Sequence, residues 1–256
     1  MGNKLVRRGY RVMLLSGILL LSGCRIPYEV KSIEGSRVEI TSAYDKNQDE
    51  AAVSFLAPYK EKVDSVMSPV IGINAINMSA SRPESLLSNL MADMLRESAG
   101  TLLNKPIDVG MVNVGGLRSG LSKGNITYGN IYEILPFENS LCIVSLTGAS
   151  LSLLFENIAK ANGEGISGAR LEISKERELL KATVGDQAID KEKIYTVATL
   201  DYLSEGNDGM IAFLKAKDKV CPEGMTIRQL FLDYVKQQTQ LGKSVTSALD
   251  GRITVK

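Results

Sequence analysis

The sequence predicts an α+β fold, a single layered domain of about four helices and seven to eight mixed strands. Three observations predict it. Helical and strand-like segments follow one another in no fixed order, the pattern of helices packed on mixed sheets rather than of a bundle or a sandwich. The apolar residues recur with helical spacing in some segments and alternate or cluster in others. No internal repeat or low-complexity linker interrupts residues 52–256, and about two hundred residues suffice to fill one core.

The elements follow in order. Residues 1–23 read as an address. Lys4, Arg7, Arg8 and Arg11 form a basic region, and Val12 to Leu21 is an apolar run too short to span a bilayer comfortably. The run ends Leu21-Ser22-Gly23-Cys24, which resembles a bacterial lipoprotein signal; an uncleaved anchor is the alternative. Cys24 is the expected lipidation site. The expected location is the bacterial cell envelope, lipid-anchored and periplasm-facing, because Arg25 and Ile26 begin no acidic run.

Residues 24–51 are polar and read as a tether with one alternating strand, Arg37–Thr41. The domain proper is expected over 52–256. Ala52 to Met67 is helical in pattern, with Leu56, Tyr59, Val63 and Val66 as its apolar positions. Val70 to Ile76 reads as a strand. Ser81-Arg82-Pro83-Glu84 matches a capping box with proline in the first turn. The helix it opens carries Leu86, Leu87, Leu90, Met91, Met94 and Leu95 on one face, and Gly100 is expected to close it.

Ile107–Val112 is a strand running into glycines. Thr127–Leu135 is a short helix stopped by Pro136. Ser140–Leu146 is a strand, after which Thr147 caps a helix with Leu151, Leu154, Phe155 and Ile158 inward. Strands at Arg170–Ser174 and Leu179–Val184 accompany a Gly185-Asp186 turn. Tyr195–Leu200 is a further strand. Thr226 caps a last helix with Ile227, Leu230, Phe231, Tyr234 and Val235 inward, and Arg252–Val255 ends the fold.

Composition narrows the function. The chain contains no histidine, the usual general base near neutral pH and the commonest metal ligand. With cysteines only at 24, 142 and 221, a zinc site is not expected; neither a metal ligand nor a catalytic residue is assigned. The 30 basic and 29 acidic side chains become 26 (30 less 4) against 29 once the signal is removed. That balance argues against nucleic-acid binding, which needs a basic surface. Cys142 lies in an apolar run and reads as a small buried hydrophobe. Cys221 precedes Pro222 in a polar loop; a disulfide between the two is possible, but nothing in the sequence supports one.

Three loop segments combine ligand-binding groups. Asn113-Val114-Gly115-Gly116-Leu117-Arg118 follows a strand: glycine lets a ligand approach the main chain, asparagine offers donor and acceptor, and arginine offers a fork that matches phosphate. Phe137 follows Pro136 on a loop. Tyr202 and Asp208 flank Gly206, and the Asp208 carboxylate suits a vicinal diol. Alone, each segment reads first as an ordinary turn or core plug. Together they supply two rings, an amide, a guanidinium and a carboxylate, the inventory for a nucleobase, a ribose and a phosphate.

These segments resemble the C-terminal, substrate-binding domain of the 5′-nucleotidase family over about residues 70–256. The resemblance rests on Asn113–Arg118, Gly124-Asn125-Ile126-Thr127, Leu135-Pro136-Phe137-Glu138-Asn139, Leu146-Thr147-Gly148, Tyr202–Gly209 and Gly251-Arg252-Ile253. It implies that Phe137 and Tyr202 clamp the base. It further implies that Asn113 contacts the base, Asp208 the ribose hydroxyls and Arg118 the phosphate, with Gly115 and Gly116 shaping the loop. Arg82 is the nearest match to a second family arginine, one residue out of register. Val114 and Glu138 stand where the family has glycine.

The family's N-terminal metallophosphoesterase domain, with its histidine motifs and two metal ions, has no counterpart among these residues. The resemblance therefore implies the nucleotide-binding half of a 5′-nucleotidase, without a cofactor of its own. Its expected partners are a nucleotide or nucleoside, a separate metallophosphoesterase chain carrying the divalent metals, and the membrane through its lipid. The alternative is a non-catalytic lipoprotein that captures nucleotides or nucleosides for scavenging.

Overall fold

The computed structural model describes residues 29–256; the signal segment and Cys24 lie outside the described residues. The chain divides into two units, Met1–Val53 and Ser54–Lys256. The described part of the first is exposed and carries one 3-10 turn, Ser42–Lys46. The strand expected at Arg37–Thr41 does not form. Its alternation has no partner strand, and a single strand has nowhere to satisfy its backbone groups.

Helix α1 (Glu50–Met67) opens on Asp49, whose carboxylate accepts the amides of Ala51 and Ala52. None of its residues is buried; Leu56, Tyr59, Val63 and Val66 are all more than half exposed. The stripe reads like a core face in the sequence, yet no described element covers it.

The α+β class holds, with six α-helices and eleven strands among the described residues, the additions being short pieces. Strands β1 (Val70–Asn74) and β3 (Gly124–Thr127) form an antiparallel pair. The main sheet has the order β10-β4-β9-β2-β5, from β10 (Asp218–Val220), β4 (Leu141–Thr147), β9 (Ile194–Leu200), β2 (Val109–Val112) and β5 (Gly165–Ser167). A third sheet joins β11 (Ile253–Val255), β6 (Ala169–Ile173), β7 (Leu179–Val184) and β8 (Gln187–Ala188). The Gly185-Asp186 turn links β7 to β8 with positive φ at both residues, as a tight hairpin turn requires.

Helix α2 (Leu86–Leu103) packs over β2, β5 and β9, burying Leu87, Leu90, Met91, Met94 and Leu95. Its cap is Ser85, not Ser81, and it runs past Gly100 to Asn104, which takes the left-handed cap conformation. Two local rules explain both corrections. Arg82 precedes proline and is steered out of the helical region, so a helix cannot start at Ser81. Asparagine substitutes for glycine as a left-handed stop.

Helix α3 (Tyr128–Ile134) begins in a reciprocal capping box between Thr127 and Asn130. Helix α4 (Gly148–Lys160) is capped by Thr147 and buries Leu151, Leu154, Phe155 and Ile158. A single turn, α5 (Asp201–Ser204), follows β9. Helix α6 (Ile227–Gln240), capped by Thr226, buries Ile227, Leu230, Phe231 and Val235 against β1, α2 and α3.

Cys142 is fully buried in β4, as its surroundings suggest, but it is not a free thiol: it is disulfide-bonded to Cys221. The register explains the bond. In the β10–β4 pair Val220 faces Ile143, so the next residues along each strand, Cys221 and Cys142, come opposite one another.

Candidate functional site

Sheet register gathers the candidate residues. Strands β2 and β9 run parallel, Val109 opposite Val197, so Asn113 and the Tyr202 turn leave the sheet at the same end. Strand β4 is antiparallel to β9, with Leu141 facing Leu200, so the Phe137 loop enters at that end as well. Strand β5 is antiparallel to β2, with Gly165 facing Val112, which brings Glu164 there too. Segments far apart in sequence thus converge because the hydrogen-bond ladder fixes which strand ends are neighbours.

Asn113 lies at the centre and is only 5% exposed. Its Nδ2 donates to Asp208 Oδ2 at 2.6 Å, while its buried Oδ1 has no hydrogen-bond partner. A buried acceptor left unmatched costs free energy and suits a donor arriving with a ligand. Gly116 leaves room for that amide: a Cβ there would stand 2.8 Å from Asn113 Oδ1. Gly115 faces open space. Arg118 is exposed, its guanidinium donating at 3.2 Å to the Gly115 carbonyl.

Asp208 is exposed and holds a left-handed φ of 52° between the positive-φ glycines Gly206 and Gly209. Such backbone strain concentrates at binding sites. Its Oδ1 accepts the Tyr202 hydroxyl at 2.9 Å, and that hydrogen bond raises the phenol above its ordinary pKa. Each carboxylate oxygen keeps a second lone pair for a further donor.

Phe137 and Tyr202 are both surface rings, 49% and 40% exposed. Phe137 borders a shallow apolar notch with Asn113, Gly116, Leu117 and Asn139, only about 10 Å³ in volume. The two rings are not stacked on each other among the described residues.

Two further residues are tied to these loops, and no local sequence signal marks them. Arg228, in the first turn of α6, donates to the carbonyls of Leu135 (2.8 Å), Pro136 (2.8 Å) and Phe137 (3.2 Å) and lies 4.4 Å from the centre of the Tyr132 ring. One guanidinium thus fixes the loop that presents Phe137, and draws Glu138 toward itself at 3.5 Å. Arg228→Ala is expected to lower stability by about 1–2 kcal/mol, since the carbonyls lose a charged donor. Adenosine affinity should fall about fivefold, as the ring must then be ordered on binding. Urea unfolding and calorimetry check the two effects, and unchanged affinity would refute the positioning role.

Glu164 is 1% exposed. Its carboxylate accepts the Val114 amide at 2.5 Å and pairs with the Arg82 guanidinium. Arg82 Nε also donates to the Gly163 carbonyl at 2.8 Å. Burial pushes the Glu164 carboxyl above its ordinary pKa, the Val114 amide and Arg82 pull it back, and Asp208 adds to the rise. Arg82 therefore reaches the site region through Glu164. Among the described residues no group of three or more acidic or cysteine side chains could hold a metal ion.

The geometry defines a class first: an α+β domain whose loops assemble polar and aromatic groups at one end of a mixed sheet. The 5′-nucleotidase, C-terminal domain model matches residues 66–215, and the chain belongs to that family. It is 26% identical over 235 residues to an apyrase from Anopheles gambiae, covering 85% of this chain and 40% of that protein. It is 26% identical over 200 residues to a probable 5′-nucleotidase from Treponema pallidum, covering 67% and 33%. A 5′-nucleotidase precursor from Thermus thermophilus superposes with a TM-score of 0.71 at 28% identity, over 81% of this chain and 43% of that one. The chain thus spans less than half the length of these relatives.

Proposed function

We propose that this chain is the nucleotide-binding half of a 5′-nucleotidase, working with a metallophosphoesterase on a separate chain. The observation that carries the reading is the convergence at Asn113: an orphan buried acceptor beside Asp208, with exposed rings at Phe137 and Tyr202. In this reading the rings hold the base, Asn113 reads its edge, Asp208 takes the ribose diol, and Arg118 meets the phosphate.

The chemistry of phosphate-ester hydrolysis is left to the partner. Two metal ions would activate water and stabilise the phosphoryl group there, and this chain offers no histidine and no metal-binding cluster among its described residues. The Cys142–Cys221 disulfide supports an oxidising compartment. Because those two cysteines occupy each other, Cys24 is left for lipidation, in keeping with a periplasm-facing anchor.

The second reading, capture of nucleotides or nucleosides without hydrolysis, draws on the same site and differs only in the partner. A ligand at a hundredfold excess over Kd stabilises the fold by about 2.7 kcal/mol, so adenosine and AMP should each raise the melting temperature. The purified chain is expected to show no metal-dependent phosphatase turnover. Recovery of a metallophosphoesterase from membranes with the lipidated chain supports the split enzyme; chelator-sensitive turnover by the chain alone would overturn it.

A further inference from the structure

We propose that Glu164 is a specificity residue: by occupying Arg82 and the Val114 amide it opposes a phosphate at this site, so that nucleosides bind about as well as their 5′-monophosphates. The inference rests on the reading that the Asn113 loop holds a nucleoside.

The Val114 amide opens the 3-10 turn Val114–Gly116, directly after Asn113. A free backbone amide and a guanidinium close to one another are the donor set that takes an oxyanion. Here the protein supplies the oxyanion itself. Glu164 Oε2 accepts the amide, Oε1 pairs with Arg82, and the carboxylate is sealed from solvent at 1% exposure. The tie is reinforced because Arg82 Nε binds the Gly163 carbonyl beside it. The Gly163 turn also abuts the Pro83 backbone closely enough that only glycine fits.

A phosphate dianion approaching this turn meets the Glu164–Arg82 ion pair, whose charges cancel, the exposed Asp208 carboxylate and one exposed guanidinium, Arg118. Arg82, tied to this turn through Glu164, is already neutralised and offers the phosphate no net attraction. Arg118 and Glu164 therefore act in opposite directions on the phosphate, and neither acts on the base or the ribose.

Glu164→Gln tests the assignment. The amide side chain keeps the shape and an acceptor for the Val114 amide but releases the Arg82 guanidinium. The ratio of adenosine Kd to AMP Kd, measured by calorimetry, is expected to be near one in the wild type. It should rise about tenfold in Glu164→Gln, the scale of one charged hydrogen bond. The double variant Arg82→Gln, Glu164→Gln should lose most of that rise, because no freed guanidinium remains to take the phosphate.

If Glu164→Gln does not fold, the wild-type ratio decides. Preference for AMP of a hundredfold or more would mean that the phosphate already overcomes Glu164, and would overturn the proposal. An unchanged ratio in a folded Glu164→Gln chain would do the same. Failure of the wild type to bind adenosine at all refutes the underlying site instead, so the two failures are distinguishable.

Discussion

Replacing both surface rings, Phe137→Ala with Tyr202→Ala, is expected to cut adenosine affinity at least thirtyfold while leaving the fold intact. Stacking a base on an aromatic side chain is worth about 1–3 kcal/mol by alanine substitution, so two rings together contribute at least about 2 kcal/mol, or thirtyfold. The fold tolerates the loss because both rings are about half exposed and lie outside the buried core, where surface substitutions usually cost within about 0.5 kcal/mol.

Tyr202→Phe separates ring from hydroxyl. It keeps the stacking face and removes only the 2.9 Å hydrogen bond to Asp208, so adenosine affinity should fall by less than fivefold, the scale of one net hydrogen bond. Calorimetry with adenosine reads both variants. A double variant that binds like the wild type would place the base elsewhere, and with it the whole orientation of the ligand.

Much of the fold was legible because the signals are local. Thr127, Thr147 and Thr226 each cap the helix expected of them, since a cap is read from the three residues that follow. The buried stripe of α4 was equally plain, because Leu151, Leu154, Phe155 and Ile158 repeat at helical spacing. Local signals misled where two of them competed. Ser81 had the right partner three residues on, but Pro83 forbade the helical conformation just before it, and Ser85 took the cap. Gly100 gave way to Asn104, which takes the left-handed stop conformation four residues later.

The site was legible as a set of residue types and illegible as a network. Asn113, Phe137, Tyr202 and Asp208 announce themselves as polar or aromatic groups on loops. The bond from Asn113 to Asp208 spans 95 residues of sequence and exists only because β2 and β9 lie side by side. Glu164 gave no signal at all: a glutamate before a short strand becomes a buried ligand-loop anchor only through the β2–β5 register. Arg228 was hidden likewise, 93 residues from the Leu135 carbonyl it holds. The α1 stripe shows the converse, a periodic apolar face that no described element covers.

Loss of the Cys142–Cys221 disulfide, by Cys142→Ala with Cys221→Ser, is expected to cost about 4 kcal/mol of stability. The two cysteines are 79 residues apart, and constraining a loop of that length in the unfolded chain is worth about 4 kcal/mol on chain-entropy grounds. For a domain of this size that lowers the melting temperature by about 10 °C. The native side adds a second reason. Strand β10 sits at the edge of the main sheet, three residues long and exposed throughout, so the covalent bond to β4 fixes a strand with little burial of its own. Amide exchange at Val220 should accelerate before exchange in β4 does.

The site should outlast the bond. Tyr202 and Asp208 lie inside the closed loop, but they are positioned by β9, which pairs with β4 along seven residues and with β2 on its other side. The reduced chain is therefore expected to bind adenosine at 25 °C within twofold of the oxidised one while melting earlier. Coincident melting curves with and without reductant would show that the cross-link does not constrain this fold. Parallel loss of binding and stability would show that the edge strand reaches the ligand loops after all.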